Sequence, residues 1–534
     1  MSLSGKLQYF ESKVDGKQYP YAVCATDDSE KPKPLIVEVS PQAYDNLPRC
    51  VELTEKIAAI AVKHGESCVV LRATGRGNGL CQHYCEIDVF EAIEDVKAHY
   101  AIDPDKISIT GFSMGGAGVW YLISHYPDYF SAAVPWSGYC DYRLWQKVGG
   151  LTVHMDEWEE PAWISKSAVF LLENLQYTPV WMVHGEWDRA PAGVPVQHSR
   201  QMATLMTQNG YDCKYTELQR LGHDTEDGVF EETIIWLIKQ KKLRSPRHLA
   251  HTAYTLRHNS SYWASIEQFE NYYGKAVINA QIVDKRRIEI TTDNVKVFAL
   301  SNPDTDETPD VKINGFLLPT VDLYSSGIFV KNGPNNWSFE AVKLSQGKRR
   351  TVSGPIGDMF FDNVLLVPGT TGTEEESYFL DYFATVVAPV YYRKNNGGVH
   401  RGGTPGENVV KLTAVKDIDI TDNLLCQNNL ILYGTHLTNS IIARLKDDLP
   451  ISFGEKSIRV CNKEYSAEYC TVFAVLPHPF NPNRYIAIHG GVAPDSIVWG
   501  GMLNMNLLPD YIVYSKTKVL GWGFFNNEWK IAKE

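Results

Sequence analysis

The residues best suited to covalent chemistry lie in ITGFSMGGAGVW, residues 109–120, where Gly111 and Gly115 flank Ser113 at the spacing Gly-x-Ser-x-Gly. A strand-like run precedes this serine and a helix-like run follows it. This context is typical of a nucleophile elbow, a sharp strand-to-helix turn that presents a serine hydroxyl beyond the edge of a sheet. The alternative is a glycine-rich helix start with a buried serine. We predict that Ser113 is a nucleophile.

A nucleophilic serine needs a general base, and the base needs an acid that holds its orientation. Where the serine sits on such an elbow, the chain order is serine, then acid, then histidine. Asp188 follows the strand-like run PVWMVHG, and His223 lies on the loop after CKYTELQ. We therefore predict Asp188 as the acid and His223 as the base, with Glu186 as a rival for the acid. His184, inside the strand, is predicted to be structural.

Strand-like and helix-like segments alternate through residues 1–245, which is typical of an α/β fold with a mostly parallel, doubly wound sheet. The opening segments KLQYFES and YPYAVCA indicate a hairpin. Further strands are predicted at LIVEV, CVVLRA, KISITG, AAVPWSG, PVWMVHG and CKYTEL. The pattern predicts about eight strands, and it brings the ends that carry Ser113, Asp188 and His223 to one edge.

The alternation of strand-like and helix-like segments ends near residue 245, where we place a domain boundary. Residues 246–350 show a period close to two, with turn signals such as SNPDTDETPD, and we predict a mostly β module. The α/β alternation returns in residues 351–534, which predict a smaller α/β domain of unknown role. Its segment 394–408 is rich in glycine and is predicted to be a loop.

With these motifs in view, residues 1–245 resemble α/β-hydrolases of the dienelactone-hydrolase, feruloyl-esterase and prolyl-oligopeptidase-like group. The resemblance is carried by IDPDKISITGFSMGGAGVWYL, HGEWD and LGHDTED. It implies the α/β-hydrolase fold, here followed by a large C-terminal extension. It also assigns Ser113 as nucleophile, Asp188 as acid and His223 as base, in agreement with the roles inferred above.

Acyl transfer also needs an oxyanion hole of backbone N–H groups. One predicted donor is Met114, the residue after the nucleophile. The second should follow the strand LIVEV, where relatives usually carry His-Gly and this chain has Ser-Pro-Gln-Ala at 40–43. Pro41 has no N–H, so we predict Gln42 as the second donor.

Substrate contacts are predicted around the insert at residues 138–178, because aromatic side chains above a hydrolase sheet often line a cleft. The predicted substrate-binding residues are Trp136, Trp158 and Trp187. Burial in the core of the insert is the alternative. The acidic run DEWEEP at 156–161 is expected to be a solvated face, with capture of a substrate amine as the other interpretation.

Composition excludes several classes of function. The 534 residues carry 51 Lys and Arg against 63 Asp and Glu, a net charge of −12, which argues against nucleic-acid binding. No segment approaches the roughly 20 apolar residues that span a bilayer, and the opening residues lack the apolar core of a secretory signal. The ten dispersed cysteines predict a reducing compartment, the cytoplasm, with export left open should a signal have been removed.

The predicted function is therefore hydrolysis of carboxylic esters, with aryl or feruloyl esters as candidates, by an acyl-enzyme on Ser113. No cofactor or metal is expected; CQHYC at 81–85 has no second ligand pair of the kind that zinc sites usually use. The partner is a small ester or a short peptide, and a homo-oligomer is compatible with the sequence. The alternatives are an exopeptidase or amidase, and an inactive hydrolase fold that serves as a scaffold.

Overall fold

The N-terminal half is built on an eight-stranded sheet. The computed structural model describes residues 3–39, 46–76, 80–144, 156–189, 193–323, 327–389 and 412–531. The strands of this sheet are β1 (Lys6–Glu11), β2 (Gln18–Ala25), β3 (Lys33–Val39), β4 (Val69–Ala73), β5 (Ile102–Phe112), β6 (Ala133–Trp136), β7 (Val180–Gly185) and β8 (Cys213–Leu218). Their spatial order is β1-β2-β4-β3-β5-β6-β7-β8. Strands β3 to β8 run parallel, whereas β1 and β2 form the predicted antiparallel hairpin.

Helices cover both faces of this sheet. These helices are α1 (Leu47–Lys63), α2 (Tyr84–His99), α3 (Met114–His125), α5 (Gln197–Gln208) and α6 (Asp227–Lys239), whereas the short helix α4 (Glu160–Lys166) buries Ala162 in the apolar core of the C-terminal part. One buried apolar cluster contains residues of α2, α3 and α5, and a second contains residues of α1 and α6. Central strands that are buried on both faces explain the continuous apolar runs of the sequence. The α/β-hydrolase fold predicted for the N-terminal half is confirmed.

Two five-stranded sheets follow. The first has the order β16-β15-β13-β12-β9 and the second β10-β11-β14-β17-β18. The strands are β9 (His248–Ala253), β10 (Ser260–Ser261), β11 (Ala264–Phe269), β12 (Ala276–Asp284), β13 (Arg287–Asp293), β14 (Val295–Leu300), β15 (Asp310–Ile313), β16 (Phe316–Leu318), β17 (Ile328–Gly333) and β18 (Asn336–Glu340). Alternating side chains of both sheets share one apolar core, which includes the stacked rings of Phe298 and Phe329. Because successive side chains of a strand point to opposite faces, every second residue lies in this core, which explains the period of two in the sequence.

The last part of the chain holds a seven-stranded sheet with the order β20-β19-β21-β26-β25-β27-β28 and a three-stranded sheet β22-β23-β24. The strands are β19 (Val364–Pro368), β20 (Thr413–Ala414), β21 (Asn429–Tyr433), β22 (Ile451–Phe453), β23 (Ser457–Val460), β24 (Lys463–Ser466), β25 (Cys470–Pro477), β26 (Tyr485–Gly491), β27 (Tyr511–Ser515) and β28 (Lys518–Gly523). The helices are α7 (Glu374–Tyr382), α8 (Asp422–Gln427) and α9 (Ser440–Leu445). The predicted α/β alternation holds for β19, β21 and β26, but β25, β27 and β28 are antiparallel additions.

The three parts contact one another through buried polar groups. The carboxylate of Glu86 on α2 accepts hydrogen bonds from Tyr121 and Tyr126 and lies 2.9 Å, at Oε1, from Nε2 of His258. Arg257 forms a two-pronged ion pair with Asp358, with both N···O distances 2.9 Å. The first contact joins the N-terminal half to the middle part, and the second joins the middle part to the C-terminal part. In the described ranges, every helix is too short or too polar to cross a bilayer.

Candidate active site

Ser113 lies at the turn between β5 and α3. Its backbone has φ +58° and ψ −113°, a strained conformation for a residue with a side chain, and its N–H donates to the carbonyl of Trp136 at 2.8 Å. A Cβ on Gly116 would lie 2.4 Å from that same carbonyl oxygen, and one on Gly111 would lie 2.7 Å from the carbonyl of Val39. Only glycine fits such close backbone packing, so the local sequence imposes the turn.

Three side chains from three sheet ends form one hydrogen-bonded chain. Nε2 of His223 lies 2.8 Å from Oγ of Ser113, and Nδ1 of His223 lies 2.7 Å from Oδ2 of Asp188. Because a carboxylate can only accept, Nδ1 of His223 carries the proton and Nε2 is left to accept the serine proton. The structure thus brings together the serine, histidine and aspartate that the chain order predicted.

Asp188 is buried, with its side chain 0% exposed. Its Oδ1 accepts the backbone N–H of Val194 at 2.9 Å, in addition to the contact of Oδ2 with His223. Burial alone would raise the pKa of Asp188, but hydrogen bonds from His184 and His223 outweigh it and lower this pKa to about 2. The carboxylate is therefore charged at neutral pH and can stabilise a positive imidazolium.

The rival acid has a different partner. Oε2 of Glu186 accepts the backbone N–H of Arg220 at 2.9 Å, and this bond ties the loop after β7 to the loop after β8. The structure brings Asp188, and not Glu186, to the imidazole.

Phe112 and Gly193 lie against the rest of the His223 side chain. The ring of Phe112 packs against the His223 ring with centroids 4.8 Å apart, while 22% of the His223 side chain stays exposed. A Cβ at Gly193 would lie 2.0 Å from Oδ1 of Asp188 and 2.7 Å from Cβ of His223. Gly193 and Val194 were not predicted from the sequence, although a glycine shortly after the acid is a signal of a close approach between backbone and side chain.

Of the two predicted oxyanion donors, Met114 lies within the described residues and Gln42 does not. Met114 is the first residue of α3, so its N–H belongs to the group at the helix N-terminus that has no intrahelical partner, next to Ser113. Gln42 lies outside the described residues.

Two of the three predicted substrate-binding tryptophans are in other places. Trp136 is 1% exposed and packs with Phe230 in the core between the sheet and α6. Trp158 is 6% exposed and belongs to the apolar core of the C-terminal sheet. Large apolar rings gain more by burial in a core than at an open cleft, which explains both corrections. Trp187 is 58% exposed beside Asp188.

A different apolar cluster lies next to the elbow. It consists of buried Leu80, Ala117, Tyr139, Tyr142 and Val194, with Met114 and Trp163 packed against it. The hydroxyl of Tyr142 accepts a bond of 2.7 Å from Nε2 of Gln82. Tyr139 and Tyr142 come from the insert, so the insert contributes apolar surface near Ser113 through its tyrosines.

The CQHYC segment contributes to packing. Cys81 and Cys85 are buried and free, and the ring of His83 lies against Phe361 of the C-terminal part, with centroids 5.2 Å apart. Within the described ranges, no group of three or more His, Cys, Asp and Glu side chains is arranged to hold a metal ion.

A strained serine at the start of a helix, bonded to a histidine on a doubly wound sheet, defines a class of protein. The N-terminal half has the α/β-hydrolase fold, with a serine, a histidine and an aspartate in the arrangement that serine hydrolases use. Residues 75–239 match the model of the prolyl oligopeptidase family. The family match thus lies entirely within the N-terminal half.

Known proteins show similarity over parts of the chain. An uncharacterized secreted protein of Arthroderma benhamiae is 36% identical over 128 residues, which are 23% of this chain and 13% of that protein. A thermostable esterase of known structure is 23% identical over 45% of this chain and 64% of its own, with a TM-score of 0.34. An acylaminoacyl peptidase is 16% identical over 46% of this chain and 43% of its own, with a TM-score of 0.37. The chain therefore spans less than two thirds of each of these relatives.

Proposed function

We propose that this protein hydrolyses carboxylic esters through an acyl-enzyme on Ser113. The observation that carries the proposal is the hydrogen-bonded chain from Oγ of Ser113 through His223 to the buried Asp188. In the first step Nε2 of His223 takes the proton of Ser113 as Oγ attacks the ester carbonyl. The tetrahedral oxyanion is held by backbone N–H groups, for which Met114 and Gln42 are the proposed donors.

The second half of the reaction reuses the same groups. The imidazolium of His223 gives its proton to the leaving alcohol, and the C–O bond of the ester breaks to leave an acyl group on Ser113. His223 then takes a proton from water, whose oxygen attacks the acyl carbon. The bond between that carbon and Oγ of Ser113 breaks, and His223 returns the proton to Oγ as the acid is released. Asp188 stays ionised throughout and holds the histidine tautomer. In this scheme Trp187, exposed beside Asp188, lies at the rim of the cleft.

An amide substrate is the second candidate, because residues 75–239 match a peptidase family. An exopeptidase would need acidic groups to hold a substrate ammonium, and DEWEEP is the candidate. Two of its acids have partners of their own: Glu160 lies 3.6 Å from Arg143, and Glu159 accepts the backbone N–H of Asp156. These contacts support the ester reaction over the exopeptidase reaction.

Outside the reaction itself, we propose the division into a catalytic domain at 1–245, a mostly β module at 246–350 and a C-terminal domain at 351–534. None of the ten cysteines, all of which lie within the described residues, forms a disulfide, and this supports the proposal of a reducing compartment.

The decisive experiment is labelling by a fluorophosphonate probe, with Ser113→Ala as the matched variant. Wild type should be labelled and should hydrolyse aryl esters, whereas Ser113→Ala should do neither and should unfold at the wild-type temperature. Loss of a triad member leaves only about 10³–10⁴-fold catalysis over water. An unlabelled wild type would favour the inactive scaffold. Faster cleavage of an aminoacyl anilide than of the matching ester would favour the peptidase.

A further inference from the structure

A second histidine, His184, contacts the same carboxylate oxygen of Asp188 as His223 does. His184 is on β7 and is completely buried. Its Nε2 lies 2.9 Å from the carbonyl oxygen of Val194 and 3.2 Å from Oδ2 of Asp188. Its Nδ1 lies 2.8 Å from Oγ of Ser199. One ring therefore contacts the acid, the loop that follows it and helix α5.

The chemistry of these partners determines the tautomer of His184. A carbonyl oxygen and a carboxylate oxygen can only accept, so Nε2 of His184 carries a proton and donates toward both. A serine hydroxyl can donate, so Nδ1 can accept the proton of Ser199. The neutral ring with its proton on Nε2 satisfies every contact.

Two imidazole N–H groups thus converge on one oxygen. Oδ2 of Asp188 receives Nδ1–H of His223 at 2.7 Å and faces Nε2–H of His184 at 3.2 Å. The fixed His184 ring also holds the carbonyl of Val194, whose own N–H donates to Oδ1 of Asp188. The carboxylate is therefore held at both oxygens, at Oδ2 by His223 and His184 and at Oδ1 by Val194.

We propose that His184 is a positioning residue for the reaction at Ser113. It fixes the carboxylate plane of Asp188 for His223 and takes up part of the carboxylate charge. By drawing charge from Oδ2, it makes Asp188 a weaker acceptor and so limits how strongly Asp188 favours the protonated form of His223. This inference rests on the proposed function only for its kinetic consequence.

The charged and titratable groups around His184 come from two loops, one helix and one strand. Asp188 and His223 lie on the loops after β7 and β8. Helix α5 contributes His198, whose pKa is lowered to about 3 by burial and by the nearby His184, so it is neutral at neutral pH. Strand β8 contributes Glu217, the register partner of His184, which is held by Arg200 with N···O distances of 2.6 and 2.9 Å. The charge next to Nε2 of His184 is therefore that of Asp188.

Two polar substitutions test the roles of the two ring nitrogens of His184 separately. In His184→Gln the side-chain amide reaches the position of Nε2 and can still donate to Asp188. In His184→Asn the shorter amide reaches only the position of Nδ1, so it keeps a partner for Ser199 and loses the donor to Asp188. Both variants keep a buried polar group, and thermal unfolding checks that both are folded.

The expected result is a large difference between these variants on an aryl ester. His184→Asn should lower kcat roughly tenfold or more, the scale of a lost hydrogen bond to a charged group, with KM within about twofold of wild type. The acid limb of its kcat/KM profile should move to higher pH, because Asp188 with one donor fewer favours protonated His223 more strongly. His184→Gln should keep kcat within about threefold and leave the acid limb in place.

The matched control is His198→Gln, at a second fully buried histidine that contacts Cys140 and not Asp188. It should keep the wild-type kcat and pH profile. Equal kinetics for His184→Asn and His184→Gln, or an unshifted acid limb in a folded His184→Asn, would overturn the inference. If His184→Asn does not fold, a kcat of His184→Gln below one tenth of wild type would overturn it.

A measurement without turnover separates this inference from the proposed function. The proton NMR signal of Nδ1–H of His223 reports its hydrogen bond to Asp188 even in an inactive protein. That signal should move in His184→Asn and keep its wild-type position in His184→Gln. An inactive wild type that shows this pattern would refute the hydrolase and retain the positioning role. An active wild type whose signal is the same in both variants would support the hydrolase and overturn the positioning role.

Discussion

At the scale of single residues, the acid of the site is decided by which carboxylate reaches His223. Asp188→Asn should lower kcat by about 10⁴, because an amide in that position favours the wrong tautomer of the histidine. Glu186→Gln should lower kcat by less than about threefold, since its carboxylate accepts the backbone N–H of Arg220. Steady-state kinetics on one aryl ester measure both changes. A larger loss in Glu186→Gln than in Asp188→Asn would reverse the assignment.

The same residues show what a single sequence can and cannot predict. The order serine, acid, histidine on successive sheet ends was enough to predict which three residues lie together, because the fold brings those ends to one edge. The sequence did not predict where Trp136 and Trp158 lie. A tryptophan gains free energy in any apolar environment, and only the tertiary arrangement determines whether that environment is a cleft, the sheet core or another part of the chain.

At the scale of elements, the elbow depends on contacts between backbones that leave no room for a side chain. Gly116→Ala should destabilise the protein by at least about 1–3 kcal/mol, because its Cβ would lie 2.4 Å from the carbonyl oxygen of Trp136, which is a rigid neighbour. The midpoint of thermal or urea unfolding measures this loss, and fluorophosphonate labelling should fall with it because the turn carries Ser113.

Gly333→Ala is the matched control for that substitution. A Cβ at Gly333 would meet only the side chain of Asn336 at 3.9 Å, an ordinary contact in the middle β module. It should leave stability and labelling close to wild type. Equal unfolding midpoints for Gly116→Ala and Gly333→Ala would show that the elbow tolerates a methyl group, and the packing argument for the turn would be wrong.

Strands and helices could be predicted from the sequence where the spacing of apolar residues matches the pattern of buried side chains. The eight strands of the first sheet follow apolar runs, and the middle module follows a period of two. In the last part, β25, β27 and β28 join the sheet in antiparallel order, and their apolar runs CTVFAVLP and YIVYS do not differ from those of a parallel strand. Direction depends on long-range pairing, which local pattern does not encode.

At the scale of the whole molecule, the insert near the active site is attached to the C-terminal part. Trp158 and Ala162 of the insert are buried in the C-terminal core, and the hydroxyl of Tyr84 donates to the carbonyl of Asp362 at 2.9 Å. Tyr139 and Tyr142 of the same insert lie in the cluster beside the elbow. The C-terminal part therefore supports apolar surface near Ser113 without contributing a residue to the hydrogen-bonded chain.

The contact between α2 and the middle β module depends on the ionised carboxylate of Glu86. Burial would raise its pKa, but the charge of His258 and bonds from His258 and Tyr126 lower it to about 2, below the ordinary 4.5. A depressed pKa adds stability that is present above pH 4.5 and is lost as the pH falls from 4.5 toward 2.

Glu86→Gln should therefore destabilise the protein by about 3 kcal/mol at pH 7, since it leaves His258 without its buried partner. Urea unfolding of wild type and Glu86→Gln across pH 7 to 3 measures the difference, which should shrink once the pH passes below 4.5. Glu94→Gln on the same helix is the control, because Glu94 is exposed and its carboxylate contacts Lys97 and Tyr129 of its own half. It should change stability little at any pH. A Glu86→Gln effect that stays constant from pH 7 to 3 would mean that lost packing, and not the charge of Glu86, is responsible for the destabilisation.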